Sequence, residues 1–124
     1  MVLIDNDGKI ILIDRKNFPQ GAALPGGFND YGERGKDAAI REVKEETGLI
    51  VEIEKELGVW DEPNRDPRAH NVTRAFKGKI IGGELKAADD AKAIVKIDPE
   101  KLDDVKFAFP DHKEMILEAL KKTS

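Results

Sequence analysis

A chain of 124 residues, 40% hydrophobic and 37% charged, has room for one core and reads as a single domain over residues 1–124. With no cysteine and two histidines it excludes disulfides, thiol nucleophiles and thiolate-bound zinc or iron–sulfur sites, so carboxylates must hold any metal. A net charge of −4 argues against nucleic acid as a partner, which is bound by neutralising phosphates with Lys and Arg, and leaves open a small phosphorylated ligand.

The first apolar segments, Val2 to Asp5 and Lys9 to Asp14, flank Asn6-Asp7-Gly8, whose Asp-Gly step predicts a hairpin of two antiparallel strands. Arg15 to Ala23 mixes Pro, Gly, Asn and charge, which is loop composition, and Leu24-Pro25-Gly26-Gly27 turns the chain. A polar loop, Phe28 to Lys36, leads to a helix predicted from Asp37, a good N-cap, to Gly48, a residue that ends helices left-handed. Leu49 to Leu57 alternates apolar and charged residues as a strand with one wet face, extended or restarted by Gly58-Val59-Trp60. Asp61 to Arg68 carries two prolines among Asn and Asp and reads as a binding loop.

Asn71 to Phe76 and Lys79 to Ile81 are expected as strands broken near Gly78, and Gly82-Gly83 end that arm. Ala87 to Ala91 is an acidic loop, Ala93 to Ile97 a short strand, and Asp98-Pro99 a turn or brief helix. A terminal amphipathic helix over Asp111 to Lys122 would bury Met115, Ile116, Leu117 and Leu120. No apolar run approaches the roughly 20 residues of a membrane span and Met1 to Asp5 lacks a leader pattern, so a cytoplasmic location without membrane association is expected. The order of elements gives α+β or a helix–sheet–helix sandwich.

On the predicted helix, successive residues advance about 100°, which gathers Ala38, Glu42, Glu45 and Glu46 in one sector and sets Ile40, Val43 and Thr47 opposite. Three carboxylates at i,i+3 and i,i+4 repel one another and call for a positive partner. A hard divalent cation such as Mg²⁺ or Mn²⁺, shared between carboxylates and substrate phosphates, is the natural one. The bland alternative is a solvated acidic face, as most charge runs are.

Gly27, five residues, Glu33, seven residues, then Arg41-Glu42-Val43-Lys44-Glu45-Glu46-Thr47-Gly48-Leu49 resembles a complete Nudix box. The resemblance implies an α/β/α sandwich around a mixed β-sheet, and hydrolysis of a nucleoside diphosphate linked to another moiety by water attacking phosphorus with a divalent metal present. It implies metal binding by Glu42, Glu45 and Glu46, with Glu33 and the Gly27 carbonyl as further ligands, and Arg41 orienting the carboxylates. The general base stays open between Glu42 and a later loop acid, Asp89 or Asp90, with Glu84 and Glu100 behind them.

The segment Gly58 to His70 resembles the one that follows the box in small ADP-ribose pyrophosphatase-like Nudix proteins, with Glu62 for the usual aspartate and Ala69 for the usual glycine. Phe107-Ala108-Phe109-Pro110-Asp111-His112 is similar to that subgroup's Ala-Phe-Asp-His with Pro110 added. Arg65 or Arg68 would pair with phosphate, and Trp60 or Phe109 would stack on a base, against core packing as the alternative for both aromatics. His70 and His112 read as hydrogen-bonded structural residues. Relatives usually carry more residues before the first hairpin, and these often help build the nucleoside pocket. ADP-ribose is the leading substrate, a nucleoside triphosphate the same-class alternative, and a catalytically silent nucleotide sensor the different-class one. A homodimer is an open assembly state.

Overall fold

The computed structural model describes residues 1–26, 34–62, 66–68, 72–86 and 92–121. The Asp-Gly turn forms as its sequence dictates: Asp5 Oδ1 accepts from the backbone N–H groups of Asp7 and Lys9, both at 2.9 Å, and Gly8 takes φ +78°. The strands on either side part company, however. Strand β1 (Val2–Leu3) runs parallel to β5 (Thr73–Gly83), with Val2 opposite Lys77, and the expected antiparallel hairpin shrinks to the single bridge between Ile4 and Ile10. Strand β2 (Ile10–Arg15) has both edges taken, by β3 (Gly21–Ala23) and by β6 (Lys92–Ile97), which leaves no edge for β1.

Two three-stranded sheets result, β1-β5-β4 with mixed pairing and β3-β2-β6 antiparallel, where β4 is Leu49–Trp60. Alternate residues of β1 and β2 serve different cores. Val2, Ile10 and Leu12 pack with Met115, Ile116 and Ala119 of helix α2 (Asp111–Leu120), while Leu3 and Ile11 pack with Val43 of helix α1 (Gly35–Thr47) and with Leu49 and Val51. Strands apolar on both faces between two helices make the α/β/α arrangement that the resemblance implied. Among the described residues no helix is long and apolar enough to cross a membrane.

Helix α1 ends as expected, at Gly48 with φ +79° and its N–H on the Lys44 carbonyl at 2.9 Å. Its start differs: the N-cap is Arg34, without a side-chain cap bond, and Asp37 sits inside the first turn, where its charge complements the helix dipole. Strand β4 runs unbroken through Trp60, and β5 runs unbroken through Gly78. That glycine does not interrupt the strand because its missing side chain makes room for Met1 and Leu3 of the β1 side. Gly21 to Ala23, expected as loop, is a strand because Ala22 is hydrogen-bonded on both sides of the chain at 106–108, to the Lys106 carbonyl at 2.8 Å and from the Ala108 N–H at 2.9 Å. Between β6 and α2, the brief helix expected after Asp98 is a 3₁₀ helix over Pro99–Asp104. On α2, Leu117 is 48% exposed and Ala119 takes the buried place expected for it.

Candidate active site

The cavity of interest, about 1040 Å³, opens between α1, the ends of β2, β4 and β5, and the segment leading into α2. Glu42 and Glu46, one helical turn apart, put α1 on its wall together with Ala39 and Gly35. Arg41 Nη1 donates to Glu42 Oε1 at 2.7 Å and to Glu45 Oε2 at 3.0 Å, and Glu46 Oε2 accepts from the Gly26 N–H at 3.1 Å. Both cavity glutamates are thus held by fixed donors, which restricts their rotamers before any ligand arrives. Glu45 is 57% exposed and lies off the cavity lining. Ala38, expected beside the glutamates, is buried, since α1 packs against β4 and β5.

The donor set fits a hard divalent cation. Glu42 and Glu46 offer only oxygen, and His112 Nδ1 is occupied as acceptor of the Leu24 N–H at 3.0 Å, as a structural histidine would be. Among the described residues alone, no three His, Cys, Asp or Glu side chains gather as a metal shell. Gly27, Glu33, Arg65, His70, Asp89 and Asp90 lie outside the described residues.

The far wall is cationic and aromatic. Phe109 lines the cavity because the 106–108 strand-like pairing with Ala22 delivers it there, with the His112 ring 5.0 Å away. The guanidinium groups of Arg15 and Arg68 lie 5.5 and 5.4 Å from the centre of the Phe109 ring. Arg68 is clasped by Asp66: Oδ1 accepts from the Arg68 backbone N–H at 2.9 Å and from Nε at 3.1 Å, and Oδ2 from Nη2 at 2.9 Å. That hydrogen-bonded carboxylate raises the Arg68 pKa above its ordinary value, and Asp66 is 5% exposed. Arg74, also on the wall, forks onto Glu56 at 2.7 and 2.9 Å.

Arg68 and Phe109 therefore reach the cavity as expected, whereas Trp60 does not line it. Its ring packs at the margin of the α2 core and its N–H donates to Glu114 at 3.1 Å, so core packing accounts for it. Arg15, Asp66 and Arg74 went unremarked in the sequence. Arg15 stood in apparent loop, and only the pairing of β2 with β3 and β6 fixes where its side chain emerges. An Asp two residues before an Arg, between prolines, was the available signal for the clasp.

A family model described as the NUDIX domain matches residues 1–119. An ADP-ribose pyrophosphatase of Methanocaldococcus jannaschii is 50% identical over 92% of this chain and 67% of its own length. The crystal structure of a MutT/nudix family protein from Enterococcus faecalis has a TM-score of 0.76 at 30% identity, covering 96% of this chain and 58% of that one. A bifunctional NMN adenylyltransferase/ADP ribose pyrophosphatase from Francisella tularensis, complexed with AMP and a Mn ion, has a TM-score of 0.74 at 29% identity over 96% of this chain and 38% of its own. The chain thus spans less than two thirds of either solved chain.

Proposed function

The chain belongs to the NUDIX family, and on that footing we propose that it is a pyrophosphohydrolase acting on a nucleoside diphosphate linked to a second moiety, with ADP-ribose as substrate and AMP and ribose 5-phosphate as products. The observation that carries this reading is the carboxylate wall of α1, with Glu42 and Glu46 on the cavity and Arg41 bound to Glu42. The 50% identity to a protein named for that activity supports the substrate.

In this reading Glu42 and Glu46, with Glu45 from the exposed flank and Glu33 and the Gly27 carbonyl from the preceding loop, hold Mg²⁺ or Mn²⁺. When bound, such a cation neutralises charge on the phosphate oxygens and lowers the pKa of water. Arg41 keeps Glu42 and Glu45 from turning away, so the wall stays shaped for its ligand. Water adds to phosphorus as the phosphoanhydride P–O bond breaks. The proton of that water passes to Glu42 or to a loop acid, Asp90 or Asp89. Phe109 stacks on the base at the nucleoside end. The single domain works in the cytoplasm.

Incubation with ADP-ribose and either Mg²⁺ or Mn²⁺ should give AMP and ribose 5-phosphate in equal amounts, resolved chromatographically. Glu46→Gln and Glu45→Gln should each lower turnover at least about 100-fold while circular dichroism stays that of the parent. Turnover near the parent level in both variants would remove the metal assignment. Pyrophosphate release from a nucleoside triphosphate with ADP-ribose uncleaved would move the substrate class, and tight binding with no cleavage would make the domain a sensor.

A further inference from the structure

Among the described residues three arginines line the cavity, and two are neutralised where they stand: Arg68 by Asp66 and Arg74 by Glu56, each through a two-pronged ion pair. Arg15 differs in kind. Its Nε donates to the Pro19 carbonyl at 2.9 Å and its Nη2 reaches the Phe18 carbonyl at 3.4 Å, and among the described residues it makes no ion pair. Carbonyls fix the orientation of a guanidinium without cancelling its charge, and they leave the Nη1 hydrogens uncommitted.

A full positive charge therefore stays on the cavity wall. It lies against the same aromatic ring as Arg68, at 5.5 and 5.4 Å, so two like charges are gathered there and Asp66 offsets one of them. An anion is what such a spot attracts, and on the Nε/Nη2 edge that Arg15 gives to two neutral carbonyls Arg68 meets the Asp66 carboxylate, which cancels its charge. The carbonyl anchors also pre-order the Arg15 side chain, which lowers the entropic cost of gripping a ligand.

We propose that Arg15 is the phosphate-binding residue of this cavity, its guanidinium taking non-bridging oxygens of the substrate's diphosphate, a task that the sequence pattern assigns to Arg65 or Arg68. Only the identity of the substrate rests on the hydrolase reading, and inorganic pyrophosphate tests the residue without it.

The experiment is calorimetric titration of the full chain with pyrophosphate, Mg²⁺ present throughout, at two salt concentrations, for the parent, Arg15→Gln and Arg15→Lys. Arg15→Gln should weaken binding at least about 10-fold and flatten its salt dependence, and Arg15→Lys should recover part of the loss because it restores the charge. With ADP-ribose, Arg15→Gln should raise KM about 10-fold with kcat within about threefold, the pattern of a lost binding contact. Pyrophosphate binding within twofold of the parent in Arg15→Gln overturns the proposal, as does a parent that does not bind pyrophosphate. Equal loss in both variants alongside an equal fall in melting temperature would reduce Arg15 to an anchor for the loop at 16–20. Loss of pyrophosphate binding in Arg15→Gln, with ADP-ribose uncleaved by the parent, would leave Arg15 in its role and remove the substrate.

Discussion

Asp5 does at the first turn what no neighbouring side chain can. One carboxylate oxygen closes the turn on two backbone N–H groups, and the other faces the Lys96 ammonium at 3.1 Å as an ion pair rather than an aligned hydrogen bond. Burial pushes its pKa up, but the N–H bonds from Lys9 and Asp7 and the Lys96 charge together bring it below the ordinary carboxylate value. A carboxyl lowered on folding adds stability above its unfolded pKa, near 4, and loses it as pH falls through the folded value. Asp5→Ala should cost about 1–2 kcal/mol at pH 7, and the gap from the parent should narrow as denaturant midpoints are followed below about pH 4. Glu42 and Glu46 were legible at this scale because spacing on a helix sets them one turn apart on a shared wall, whereas Glu45, expected with them, lies off it. Arg15 and Trp60 were not, since each depends on partners distant in sequence: Arg15 on strands that bring it to Phe109, Trp60 on Glu114.

Elements were legible where a local device marks them. Gly48 stops α1 at the position its sequence announces, and its positive φ is only half the reason for glycine there, because a Cβ would also run into the Glu84 carbonyl. Gly48→Ala should therefore destabilise by about 2 kcal/mol or more, read from the denaturant midpoint, with the loss coming from both left-handed backbone and contact. The start of α1 was misplaced because Asp37 is chemically as fit for the first turn as for the cap. Strand β3 was missed for a different reason: three residues carry no period, and only the docking of 106–108 makes them a strand.

At the scale of the molecule, the parallel pairing of Val2 with Lys77 joins residues that no short-range pattern connects, which is why a turn-based reading gave a hairpin instead. Both cores meet at β1 and β2, so a ligand on the α1 wall stabilises the fold as a whole. A cation at about 100 times its Kd should add roughly 3 kcal/mol, near 10 °C in melting temperature for a domain of this size, and Glu46→Gln should lose most of that gain. An undiminished gain in the variant would place the cation elsewhere. The antiparallel ribbon of β4 and β5 shifts register at three points, between Ile50 and Val51, Ile53 and Lys55, and Glu56 and Gly58. One end, Leu49 opposite Gly83, adjoins the C-terminus of α1, and the other, Val59 opposite Arg74, edges the cavity. Such bulges let the ribbon coil, so its two ends answer to separate demands. Residue changes around 59 and 72–74 can then retune which molecule is accepted while the pairing of Leu49 with Gly83 at the far end stays as it is, making this ribbon the part of the chain to randomise when a new specificity is sought.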